Sequence, residues 1–306
     1  MQNRIHRTRS RAARSMDCKT AVVFLLAAVW AVRVAGGTGG GEAFDAASLP
    51  AAFPGLQKAD TANVADDVRR KLPADMLVLD HRHFVVATSR PGSEASSQSR
   101  RIAHYDEQMR RRSFPDLEAR PIIVVLVDDS GALERLATLL YPAASESQWP
   151  ASGFYNGKDR LILVPTANGD GALRRQLMGA LVQEDNPHAP RWFIDAAATL
   201  YESSESHPDK LTPTLDRRMQ QISPDEDLSY DVFAGICDCS PVSAEQLALI
   251  RLLLIFLDQR DELRTLHATI KQQGQYTTLL QALDGMDFDR SAWKAFAESS
   301  VRTYSP

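Results

Sequence analysis

The stretch that most limits the fold runs from Ala151 to Glu202, where an extended hairpin gives way to two helices. "ASGFYNGKDRLILVP" holds two short extended runs around Asn156-Gly157, a dipeptide that readily takes the left-handed backbone of a hairpin turn. Beyond it Leu173, Leu177, Leu181 and Val182 recur at helical spacing, and "PRWFIDAAATLYE" opens a second helix behind Pro190. A hairpin that delivers the chain straight into a helix pair predicts a mixed α+β fold.

Sequence on either side extends this reading. "DMLVLD" and "HFVVATS" have the Val and Leu enrichment of paired strands, and "RPIIVVLVDD" reads as a buried strand. "VADDVRRKL" predicts a short helix, "GALERLATLLY" a helix after the buried strand, and residues 96–112 an amphipathic helix with Ile102, Tyr105 and Met109 on its apolar stripe. From Ser243 onward three further helices are expected, the first opened by a capping box from Ser243 to Gln246. The run "LLLIF" within it is too short and too charged at its ends to span a membrane.

The amino terminus is a separate matter. Arg4, Arg7, Arg9, Arg11, Arg14 and Lys19 precede the apolar run Thr20 to Val32, and the small residues of "VAGGTGGG" follow. That order predicts a secretory signal over 1–37, cleaved on export to the periplasm or exterior, with an uncleaved anchor as the alternative. The remaining residues carry 28 Lys and Arg against 38 Asp and Glu, a formal charge of -10. An acidic surface of this kind argues against nucleic acid and anionic lipid as partners, and no membrane contact beyond the signal is expected. Of the three cysteines, Cys18 falls in the signal, leaving the close pair Cys237 and Cys239, read as a local clip or two free thiols, with a soft-metal or redox role as the alternative. Residues 38–67 read as a linker and short helix, 68–235 as an α+β core, and 236–306 as a helical carboxyl-terminal part.

Three pieces of the chain resemble the zinc metallopeptidases of the gluzincin clan, and more narrowly the bacterial peptidase MA-like family, over about residues 75 to 300. "ASGFY" with "RLILV" is similar to the family's hairpin before the zinc helix. "LRRQLMGAL" aligns with that helix, which carries H-E-L-x-H-A-L in the family. "PRWFIDAAATLYE" aligns with the next, where the family reads P-x-W-x-x-E-G-x-A-x-Y. The resemblance implies a gluzincin-like α+β fold: a small mixed sheet with an edge hairpin, then active-site helices, then a helical tail.

The same alignment implies that the chemistry is gone. Two histidines four residues apart share a helix face and bind one zinc ion, and the intervening glutamate activates its water. Here the first histidine position is Arg175, the glutamate Gln176, the second histidine Gly179, and the third-ligand glutamate Asp195. A guanidinium has no lone pair to give, a neutral amide accepts no proton, and glycine has no side chain. The expectation is a pseudopeptidase without zinc or another cofactor, with Arg175 either turned onto Asp195 in place of the metal or pointing to solvent. Phe154, Tyr155, Trp192 and Asp195 become candidates for a cleft that binds an extended peptide or protein.

The competing reading is a hydrolase with a rearranged site built from His188, Asp195 and a nearby acid among Glu184, Asp185 and Glu202. "GDGALR" at 169–174 follows a strand and opens a helix as a dinucleotide-binding turn does, but Arg174 replaces its last glycine. The acid-rich "SPDEDLSYD" at 223–231 lacks calcium-loop spacing and reads as solvated surface.

Overall fold

A computed structural model describes residues 44, 46–53, 61–144, 149–203, 205–207, 210–213, 220, 222, 228, 230–237 and 242–304. The segment 1–37, expected to be a signal, residues 223–227 and 229 of the acid-rich stretch, and Cys239 lie outside the described residues. Cys237 is disulfide-bonded, to a partner that also lies outside them.

A five-stranded mixed sheet organises the chain. Its strands are β1 (Leu77–His81), β2 (Phe84–Thr88), β3 (Ile122–Val127), β4 (Phe154–Asn156) and β5 (Leu161–Pro165), in the order β1-β2-β3-β5-β4. The inner strands β2, β3 and β5 run parallel, and β1 and β4 close the edges as antiparallel partners. The inner strands are buried at every position, which is why their sequences are unbroken apolar runs rather than alternating ones.

Helices cover both faces. Along the strands Val86, Val124, Leu126, Ile162 and Val164 turn to one core, with α2 (Gly92–Ser113), α4 (Gly169–Asp185) and α5 (Arg191–Leu200). Their neighbours Val85, Ala87, Ile123, Val125, Leu161 and Leu163 turn to the other, with α1 (Thr61–Lys71) and α3 (Ser130–Leu140). The two-residue period of a strand thus separates one sheet into two apolar layers.

The β4–β5 hairpin differs from the tight turn that Asn156-Gly157 predicts. Asn156 pairs with Leu161, so four residues form the loop, and the left-handed position is Arg160 (φ 49°) rather than Gly157. Asp159 is the reason. Its carboxylate turns inward and accepts from the backbone N–H groups of Ala52 and Phe53 at 2.8 and 2.7 Å, from the Tyr141 hydroxyl at 2.8 Å and from the Asn156 amide at 3.2 Å.

After α5 comes a small ribbon of β6 (Glu205–His207) and β7 (Lys210–Thr212). Among the described residues four helices then follow from Ser243 onward rather than three: α6 (Ala244–Gln259), α7 (Leu263–Gln273), α8 (Leu279–Asp284) and α9 (Arg290–Tyr304). The capping box at Ser243 and Gln246 forms as expected, and a second, at Thr278 and Gln281, opens α8. α6 is buried around most of its circumference and belongs to the same core as α2, α4 and α5. Two polar ties fix it: Arg251, fully buried, donates to the Thr199 carbonyl, and Arg112 clamps Asp258 with Nε at 2.5 Å and Nη2 at 2.6 Å. No helix among the described residues is long and apolar enough to cross a membrane.

Candidate functional site

The stretch singled out in the sequence lies on α4 and α5, which pack side by side. α4 enters directly from β5 through a single 3₁₀ turn at Thr166–Asn168, and α5 starts behind Pro190, whose ring cannot continue a preceding helix. Gly179 is buried at their contact. A β-carbon built there would lie 3.7 Å from that of Ala198, an ordinary van der Waals contact, so the position has room for a methyl group.

Arg175 does not pair with Asp195. Its Nη1 lies 3.3 Å from Oε2 of Glu202, just past the end of α5, while Asp195 takes the Nε of Arg191 at 3.0 Å, one turn back on its own helix. The reason is local. Residues four apart on a helix are neighbours, so Arg191 reaches Asp195 without crossing to another element. Glu202 is drawn toward α4 because its backbone carbonyl accepts from Arg174 at 3.0 Å. Gln176 is also engaged: its amide donates to the Gly153 carbonyl at 2.9 Å and ties α4 to the residue before β4. Gly153 has φ of 89°, and a β-carbon there would meet the Leu163 carbonyl at 2.4 Å, so only glycine presents a carbonyl at that point.

The aromatic candidates lie in the core rather than on a cleft wall. Phe154 stacks on Trp149 with ring centres 5.4 Å apart, Tyr155 donates to Glu184 at 2.7 Å, and Trp192 donates its indole N–H to the Thr277 carbonyl at 2.9 Å. All three are buried. Tyr155, Glu184 and Arg160 form one closed group, with Arg160 at 2.8 Å from Glu184. Burial, with the Glu184 charge beside it, raises the Tyr155 phenol well above its usual range. Burial likewise pulls the Arg160 guanidinium down, an effect the same carboxylate opposes.

The residues considered for a rearranged site are dispersed among other partners. Glu184 faces Arg160 and Tyr155, Asp185 takes Lys271 at 3.1 Å, Glu202 takes Arg175, and His188 is exposed in the loop after α4. Among the described residues no three of His, Cys, Asp and Glu come together as a metal-ligand group.

A second site went unnoticed in the sequence. At the carboxyl ends of β2, β3 and β5 a cleft opens that Arg90, Gln98, Asp128 and Asp170 help to line. Its only trace in the chain was the "GDGALR" turn, whose Gly169 and Asp170 lie on that cleft. No protein-family model, curated protein or solved structure matches the chain.

Proposed function

We propose that the protein is an exported pseudopeptidase: a domain with a zinc-metallopeptidase-like scaffold that neither binds zinc nor hydrolyses peptides, and that serves in binding or as a scaffold. The signal-like segment at 1–37 supports the export. One observation carries the loss of chemistry. Each side chain standing at a catalytic position of the resembled family is engaged elsewhere: Arg175 holds Glu202, Gln176 holds the Gly153 carbonyl and Asp195 holds Arg191, while Gly179 has no side chain to offer.

The donor chemistry points the same way. Of the four positions only Asp195, with its carboxylate, offers ordinary zinc-ligand chemistry, and one carboxylate does not hold a catalytic zinc against water. With Phe154, Tyr155 and Trp192 in the core, a binding role falls to other surfaces.

Peptide hydrolysis tests this reading. The purified exported chain, incubated with a degenerate peptide library with and without added zinc, is expected to give no cleavage products above the protein-free control by mass spectrometry. Cleavage that a chelator abolishes and zinc restores contradicts it.

A further inference from the structure

The cleft at the strand ends has a topological cause. The helix after β2 joins one core and the helix after β3 the other, so the chain leaves two adjacent parallel strands toward opposite faces. A crevice opens where neighbouring strands diverge in this way, and in open sheets ligands occupy it. Here the cleft measures about 340 Å³, within the range of small-molecule sites.

Its lining carries unmet polar chemistry. Gln98 of α2 is 7% exposed and lines the cleft, yet its Oε1 has no hydrogen-bond partner. A buried amide oxygen without a donor is costly, and its presence on a cleft wall calls for a donor from outside the chain. Arg90, which precedes α2, leaves its buried Nε unpartnered. Its terminal nitrogens stand 3.2 Å from Asp128 and 3.7 Å from Glu94, longer than the roughly 2.7–2.9 Å of a well-formed charge-assisted bond. The helix starts beside it are open as well: neither Pro91 before α2 nor Asn168 before α4 makes a side-chain cap. Asp170, by contrast, is held firmly by the Tyr105 hydroxyl at 2.7 Å and by Arg101 at 3.1 Å. Leu126, Val164 and Leu173 supply apolar surface between these groups.

Charge then selects the ligand. A simple anion would meet Asp128, Glu94 and Asp170, and a simple cation would meet Arg90 and Arg101. A molecule with both signs a few ångströms apart satisfies both sets. We propose that this cleft binds a small zwitterion of the α-amino-acid class, either a free amino acid or a short peptide. Its carboxylate pairs with Arg90 and the first turn of α4, its nitrogen donates to Gln98 beside Asp128, and its side chain rests on Leu126 and Val164. None of Arg175, Gln176, Gly179 and Asp195 lines this cleft, so the proposal stands apart from the pseudopeptidase reading.

Calorimetric titration of the full chain tests it with four probes: leucine, alanyl-leucine, 4-methylpentanoate, which lacks the nitrogen, and isoamylamine, which lacks the carboxylate. Saturable heat is expected from leucine or alanyl-leucine, and whichever binds tighter tells free amino acid from peptide. Both single-charge probes are expected to bind at least about tenfold more weakly. Arg90→Gln and the near-isosteric Gln98→Leu are each expected to weaken the zwitterion about tenfold without changing the far-ultraviolet spectrum. Should Gln98→Leu fail to fold, the part-exposed Arg90→Gln carries the comparison. Absence of binding by both zwitterions, equal binding by a single-charge probe, or unchanged affinity in the folded variants overturns the proposal.

Discussion

Asp159 has no exposed surface, and four donors converge on its carboxylate from the hairpin, from Tyr141 and from the segment at 52–53. Burial, together with that charge, keeps the Tyr141 phenol protonated far above its usual range. Asp159→Ala strips the buried donors of their acceptor, and we expect a loss of roughly 3 kcal/mol or more in urea unfolding. His267 gives the pH dependence. It lies between Phe114 and Phe193 with rings 5.1 and 5.4 Å away, faces Asp185 at 3.5 Å and has Lys271 nearby on its own helix. Burial lowers its pKa below the usual 6.5, against the pull of Asp185. The unfolded chain therefore takes up the proton first. The associated stability is present above about pH 6.5 and is lost as pH falls through the lowered folded value. His267→Gln is expected to lose less stability than the parent between about pH 7 and pH 5, measured by unfolding at each pH. At this scale the sequence discloses which donor atoms Arg175, Gln176 and Gly179 carry, because that follows from residue type. It does not disclose the partners, since Arg191 is nearer to Asp195 than Arg175 through helix geometry alone.

Helix pair α4 and α5 meets at Gly179, whose missing side chain faces Ala198. The space there admits a methyl group, and glycine is a poor helix former. Gly179→Ala is therefore expected to stabilise the fold by about 0.5–1 kcal/mol, read from the urea midpoint. Elements with a strong local signal were legible: the apolar runs became β2, β3 and β5, and the 96–112 stripe lies within α2. The misses share a cause, which is weak or overridden local information. α8 spans six residues, less than two turns, and shows itself chiefly through the Thr278 and Gln281 cap. The hairpin loop follows the burial of Asp159 rather than the turn preference of Asn156-Gly157.

For the molecule as a whole, one core passes from the sheet through α4 and α5 into α6, α7 and α9. The α+β class and the order of its parts were readable, because apolar periodicity changes along the chain where the elements change. The cleft at the strand ends was not, because it depends on which face each helix takes after its strand. That is a property of the assembled sheet. The pseudopeptidase proposal is a claim about the whole chain: it takes up no zinc, because Arg175, Gln176 and Asp195 are engaged with other partners and Gly179 has no side chain. Equilibrium dialysis of the purified chain against zinc, followed by metal analysis, tests it most directly. We predict zinc well below one equivalent per chain, with no difference between the parent and Asp195→Ala; one tightly held equivalent that Asp195→Ala releases would contradict the account.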